Sequence, residues 1–174
     1  LKIHIVECYL ELNRYDEVKT LCEEIVNDLT SLDSIDSLQN GHVQRFLGEA
    51  ALKTGNYTDA EKYLSAGKKI FHSYKSESWL YYLFLLQAEL AIHRSDYETC
   101  IRLVNSIIAF YRKKQQKTNY GKAILLKLQC YLALGCKKDA ALVTRTARKI
   151  IHKLNIPELN YWLLVLSGQT AEQS

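Results

Sequence analysis

One proline, Pro157, and seven glycines in 174 residues leave few places where this chain is forced to turn or break. That scarcity argues against many short strands joined by tight turns and in favour of long helices. Long apolar runs are missing too. The longest, Trp79 to Ile92, covers 14 residues and contains Gln87 and Glu89, too short and too polar to span a bilayer. No targeting segment is visible, and Leu1 stands already in mid-pattern with no methionine before it, as expected of a fragment of a longer polypeptide. The signatures of common chemistries are absent as well: there is no phosphate-binding loop, no G-x-S-x-G elbow and no H-E-x-x-H, and Cys130 and Cys136 do not form a C-x-x-C pair. His4, His42, His72, His93 and His152 are scattered about one to a helix, whereas a metal or catalytic centre requires a cluster. No enzyme, cofactor or metal site is expected.

Cysteine is present in an odd number, at positions 8, 22, 100, 130 and 136, each within or at the end of a helical pattern. This is not a loop-rich disulfide framework, and reduced, mostly buried thiols in a cytoplasmic or other reducing intracellular compartment are expected. The apolar share of 48% and charged share of 24% are those of a folded domain, and the length suits a single unit, 1–174, with one continuous core.

What the sequence does have is an internal repeat. The stretch GNYTDA at Gly55 to Ala60 returns imperfectly as RYDEV at Arg14, DYETC at Asp96 and GCKKDA at Gly135. The small residues Val18, Ala60, Cys100 and Ala140 are spaced by 42, 40 and 40 residues, the mark of a repeat array. Tyr15, Tyr57 and Tyr97 stand three positions before the first three, and Lys137 interrupts the series. Apolar spacing of three and four places a helix before each copy (Leu1 to Leu12, Gly41 to Thr54, Ser76 to His93, Thr118 to Leu134) and another after it (Tyr15 to Leu29, Tyr57 to Phe71, Asp96 to Arg112, Lys137 to Leu154). Gly55 and Gly135 suit the left-handed residue that ends a first helix, with Asn13 and Ser95 at the same place. The aromatic is expected to fill the wedge beside the hairpin, and the small residue to let the two helices approach. Pro157 fits the first turn of a further helix, Glu158 to Leu166.

These residues resemble the tetratricopeptide repeat. Leu47-Gly48, Gly55-Asn56-Tyr57, Ala60, Leu64 and Gly67 occupy its signature places in the second repeat. Tyr9, Tyr15 and Val18 do so in the first, Ala88, Tyr97 and Cys100 in the third, and Tyr131, Gly135, Ala140 and Ala147 in the fourth. The period exceeds the family's common 34 residues, and no proline closes each unit, so the chain is similar to the long-period repeats of kinesin light chains and of the sensor domains of large bacterial transcription activators. Longer helices and inter-repeat loops such as Thr30 to Gly41 would absorb the extra length. The resemblance implies an all-α, right-handed α-α superhelix (solenoid) of about four helical hairpins, approximately 1–30, 41–72, 76–115 and 118–155, plus a terminal helix, 158–168. It also implies a concave groove lined by first helices. Carried over by position, the groove would contain Glu7 and Glu11; His42, Arg45, Glu49 and Lys53; Tyr82, Glu89 and His93; and Lys122, an exposed Leu125, and Gln129. Each of these taken singly is better accounted for as the solvated face of an amphipathic helix, and only as a set do they suit a peptide. In one family subtype a chaperone tail's carboxylate is clamped by basic residues; Arg45 stands at such a place, but Glu49 would repel a carboxylate.

Charge is divided along the chain. Residues 1–100 hold 10 Lys+Arg and 16 Asp+Glu, net −6, while residues 101–174 hold 13 and 3, net +10. Arg112, Lys113, Lys114 and Lys117 follow one helix, and Arg145, Arg148, Lys149, His152 and Lys153 follow another, with Arg145, Lys149 and Lys153 four apart on one face. Such cations suit helix C-termini; they would also suit an acidic protein or peptide partner, nucleic acid, or the acidic half of a second copy. Only Tyr111 and Tyr120 lie near the first cluster to stack on bases. Trp79 and Trp162, each near the start of a first helix, are expected to pack between hairpins. The expected function is a protein-interaction scaffold that binds a peptide or protein segment, with a regulatory domain of a transcription activator or nucleic-acid binding by the basic half as alternatives.

Overall fold

The computed structural model describes residues 2–32 and 37–172, the last four as backbone only. Among the described residues the structure is all-α: α1 (Lys2–Glu11), α2 (Tyr15–Ser31), α3 (Leu38–Lys53), α4 (Tyr57–Ser73), α5 (Glu77–His93), α6 (Tyr97–Lys114), α7 (Lys117–Ala133), α8 (Lys137–Leu154) and α9 (Pro157–Glu172). The helices thus fall where the apolar spacing places them. Within the stretch from Thr30 to Gly41, residues 33–36 lie outside the described residues, as does Leu1. The loop expected there is shorter than Thr30 to Gly41, because α2 runs on to Ser31 and α3 starts at Leu38, where the Ser37 side chain accepts from the Asn40 N–H at 3.3 Å.

The chain forms two compact units, Leu1–Leu86 and Gln87–Ser174. In the first, α1 packs on α2, α2 on α3 and α3 on α4, and α1 also touches α3. In the second, α6 packs on α7, α7 on α8 and α8 on α9, and α7 also touches α9. The core of the first gathers Val6, Val18, Cys22, Ile25, Leu29, Val43, Phe46 and Ala50. That of the second gathers Ile124, Leu125, Leu128, Ala147, Ile151, Leu159, Leu163 and Leu166 among others, with Trp162 packed on it half-buried. Among the described residues no helix is long and apolar enough to cross a membrane.

One turn recurs. Asn13, Gly55, Ser95 and Gly135 all have positive φ (56°, 79°, 59° and 68°), as their places in the repeat predict. The residue after each donates its N–H five residues back, Arg14 to Tyr9 (2.9 Å), Asn56 to Ala51 (2.8 Å), Asp96 to Ala91 (2.8 Å) and Cys136 to Tyr131 (2.9 Å). The left-handed residue itself donates three back, for example Gly55 to Leu52 at 3.2 Å. Together these bonds satisfy the carbonyls that end the first helix. The same pair of bonds appears at Lys75–Ser76 and Gln115–Gln116, between hairpins, so entry to and exit from a hairpin use one geometry. Asn56 and Asp96 then serve the second helix, accepting from the N–H groups of Asp59 (3.3 Å) and Thr99 (3.1 Å). Tyr15, half-buried against the first core, ties the aromatic to the turn by donating to Asn13 Oδ1 at 2.7 Å.

Val18, Ala60, Cys100 and Ala140 are all buried, as expected for the small position. The tightest approach lies at Gly48 of α3, where an added Cβ would stand 2.7 Å from Leu64 Cδ2 and 3.3 Å from the Leu64 backbone N in α4. At Gly55 an added Cβ would meet nothing within 4 Å, and only backbone strain remains. Gly48→Ala is therefore expected to destabilise the first unit by roughly 1–3 kcal/mol through overpacking, and Gly55→Ala by about 1–2 kcal/mol through the left-handed conformation alone. Urea unfolding checks both, and an innocuous Gly48→Ala would contradict the close approach of α3 and α4.

Candidate functional site

Arg45 and His42 project from the same face of α3, three residues apart, with Glu49 four residues further on. Trp79 and Tyr82 share a face of α5 by the same spacing, and Glu7 and Glu11 share one of α1. All of these residues lie in the first unit.

Arg45 is the centre of this arrangement. Although charged, it is only 4% exposed. Its guanidinium carbon lies 4.0 Å from the centroid of Phe46, 4.9 Å from that of Trp79 and 5.4 Å from that of Tyr82, so ring faces take the place of water around the cation. Its charge is met by Glu7 Oε1 at 3.1 Å and Glu49 Oε2 at 3.5 Å. The Tyr82 hydroxyl donates to the Glu49 carboxylate at 3.2 Å, linking α5 to α3. Glu7 links α1 to the same group. The guanidinium therefore positions three helices through contacts that are individually modest.

Beside it, His42 packs edge-on to Trp79 (4.7 Å between centroids) and Phe71 (5.3 Å). Its Nδ1 is buried and has no hydrogen-bond partner among the described residues. Burial first, and the neighbouring Arg45 charge second, hold its pKa below the usual 6.5, with Glu7 opposing. Behind Arg45, burial pushes the Cys22 thiol up to about 12, so it stays protonated.

Two adjoining clefts open over this cluster. One, of about 390 Å³, is lined by Glu7, Leu10, Glu11, Arg45, Glu49, Trp79 and Tyr82. The other, of about 650 Å³, has Lys2, His4, Gln39 and His42 in its lining. They share Glu7 and Trp79; the smaller is lined from α1, α3 and α5, while the larger is also lined by Ile25, Asp28 and Leu29 of α2 and by Leu32 at its end.

The groove brings together Glu7, Glu11, His42, Arg45, Glu49 and Tyr82 from the positions the repeat implies. Lys53, exposed in the last turn of α3, is not part of its lining. Glu89 and His93 belong to the part of α5 in the second unit, and Lys122 and Gln129 lie half-buried on α7 there. Leu125 corrects the expectation of an exposed groove residue: it is 0% exposed, inside the second unit's core. The run Ala123 to Leu126 is buried throughout, since α7 is apolar around most of its circumference at this point. Trp79 packs on His42 and Phe71, as expected for an aromatic between hairpins, and also forms a wall of both clefts; its three-residue spacing from Tyr82 is the signal for that second role.

In the second unit Arg145, Arg148, Lys149, His152 and Lys153 are exposed along α8. Among the described residues, none of Arg145, Lys149 and Lys153 forms an ion pair. Of the cysteines, Cys22, Cys100 and Cys130 are buried, Cys136 half-buried and Cys8 exposed, all as free thiols. Comparison with known proteins gives no matching family model and no significant match to a curated protein.

His42 supplies a pH test. The unfolded chain binds its proton at a higher pH than the folded one, so His42 contributes stability fully present above about pH 6.5 and lost as pH falls below it. Unfolding titrations from pH 7.5 to 5 are expected to show a wild-type stability that falls more steeply than that of His42→Leu. Parallel curves would contradict the buried, neutral imidazole.

Proposed function

We propose that this chain is a tetratricopeptide-like interaction module that holds a peptide segment in the groove of its first unit and carries out no chemistry on it. The observation that supports this reading most is the groove itself, which combines a rim of carboxylates with the aromatic walls Trp79 and Tyr82 on α1, α3 and α5. Aromatic area supplies contact at low entropic cost, while charged groups at a rim set register and partner choice. Arg45 pre-organises these walls before any ligand arrives, which lowers the ordering cost of binding.

A second reading rests on the exposed stripe of Arg145, Lys149 and Lys153 on α8, which suits an acidic protein segment. A nucleic acid partner is the weaker account of the basic half, because beside the Arg112–Lys117 cluster Tyr111 is buried and Tyr120 is half-buried against the second core, which leaves little ring surface for stacking. A regulatory role within a transcription activator would use the same groove.

Selection of displayed random peptides against the protein tests the assignment. Peptides enriched on the wild type are expected to lose about tenfold or more in affinity on Glu11→Lys/Tyr82→Ala and to retain it on Arg145→Glu/Lys149→Glu/Lys153→Glu, with helicity unchanged in both. The opposite pattern would move the site to α8.

A further inference from the structure

In the second unit one helix face is left open. Leu159, Leu163 and Leu166 of α9 point into the core. Tyr161 and Leu164, on the opposite face, are 71% and 68% exposed, and Val165 is exposed beside them. A Cβ added to Gly168, one turn beyond Leu164, would meet nothing within 4 Å. No charged residue lies between Glu158 and Glu172 to interrupt this face.

The repeat identifies what such a face receives. Tyr161 stands three 40-residue periods after Gly41, and Gly168 stands three after Gly48. In α3 those two glycines form the floor on which α4 lies: a Cβ at Gly41 would stand 3.0 Å from side-chain carbons of Ile70 and Phe71, and one at Gly48 would stand 2.7 Å from Leu64. Gly121 of α7, one period before Tyr161, likewise faces Ile151 and Leu154 of α8. A helix therefore covers this face on α3 and on α7, and among the described residues none covers it on α9. A leucine standing where Leu64 stands on α3 would seat at Gly168.

Charge decides which kind of helix fits. α2 and α4 border one cleft over α3, to which α2 contributes Asp16 and Lys19 and α4 contributes Asp59 and Tyr63. The counterpart of Asp16 on α8, two residues before the small position in each case, is Lys138. Leu142, Arg145 and Lys149 follow Lys138 at spacings of four, three and four, all exposed on one face of α8. A helix lying on α9 as α4 lies on α3 has this row beside it. Among the described residues none of the three cations forms an ion pair, and residues 101–174 hold 13 Lys+Arg against 3 Asp+Glu. A basic helix would be repelled, and so would a second copy joined through its own α9, which sets two basic units against each other.

We infer that α9 and the adjoining row of α8 form a docking site for an acidic amphipathic α-helix of a separate polypeptide, with its apolar stripe on Tyr161, Leu164 and Gly168 and its carboxylates towards Lys138, Arg145 and Lys149. This extends the reading of the α8 stripe as a site for an acidic protein segment and is independent of the groove in the first unit.

The test uses three capped peptides of about five helical turns. One has leucines alternately three and four residues apart with glutamates flanking them, one has lysines in place of the glutamates, and one has the acidic composition with its leucines scrambled around the helix. Each is titrated into the ¹⁵N-labelled 174-residue chain, and binding is read from the Gly168 amide resonance, identified by its loss in Gly168→Leu. The acidic amphipathic peptide is expected to shift this signal saturably at micromolar concentration, and the other two to leave it in place. By anisotropy of the labelled peptide, Gly168→Leu, which fills the seat while favouring the helix, should weaken binding about tenfold or more. Lys149→Glu should weaken it about threefold or more, whereas Lys69→Glu, an equal charge change on the exposed face of α4, should leave it unaltered. A scrambled peptide that binds as tightly, or indifference to Gly168→Leu, would overturn the docked helix while leaving an acidic segment on α8. Equal binding of the lysine peptide, indifference to Lys149→Glu, or no binding at all would overturn both. Concentration-dependent dimerisation in sedimentation, lost in Gly168→Leu, would overturn the inference by assigning the face to a second copy.

Discussion

A buried guanidinium is an unusual thing to build around, since removing a cation from water costs several kcal/mol unless its surroundings replace the lost hydration. The first unit replaces it in two ways. Phe46, Trp79 and Tyr82 present ring faces to Arg45, and Glu7 and Glu49 present carboxylates at 3.1 and 3.5 Å. Because these partners come from α1, α3 and α5, the requirement to satisfy one charge fixes three helices relative to one another within the unit. The two carboxylates are themselves partly exposed, with side-chain exposures of 40% and 18%. They remain partly hydrated while they neutralise Arg45, which spares the desolvation of a fully buried ion triad.

The hairpins provide the frame that makes such a cluster possible. A left-handed residue followed by a capping residue reverses the chain within three residues, and the same backbone bonds recur whether the left-handed residue is Gly55, Asn13 or Lys75. Short reversals leave the first helices side by side, as in the contact of α1 with α3. A groove lined by first helices follows from this arrangement. Its chemistry is then a matter of which residues occupy the face of α1, α3 and α5 that the second helices do not cover.

Much of the frame was legible because its signals are local. Period, apolar spacing and the glycines at 55 and 135 each point to a helix or its end, and all nine helices described lie within a few residues of those signals. The left-handed conformations at Lys75 and Gln115 were not legible as such, because lysine and glutamine carry no preference for it and the surrounding hydrogen bonds impose it. The site was legible in part. Glu7, Glu11, His42, Arg45, Glu49 and Tyr82 converge as positional reasoning within a repeat implies, but that reasoning treats a position as outward-facing whatever its neighbours are. It therefore placed Leu125 in a groove although Ala123 to Leu128 form a nearly unbroken apolar run, and it could not show that Arg45 would be enclosed by rings two helices apart in sequence. Burial depends on side chains that meet only after the chain has folded.

The enclosure of Arg45 is the claim on which the account of the site depends, and its side-chain Nε–H resonance reports on it directly. In a ¹⁵N-labelled sample, identified by its disappearance in Arg45→Lys, this signal is expected far from the crowded position of exposed arginines, displaced by the ring currents of Phe46 and Trp79, and protected from exchange with water. A signal at the ordinary arginine position that exchanges as fast as those of Arg145 and Arg148 would mean that the guanidinium is in solvent. The three helices would then lack the interaction said to hold the groove.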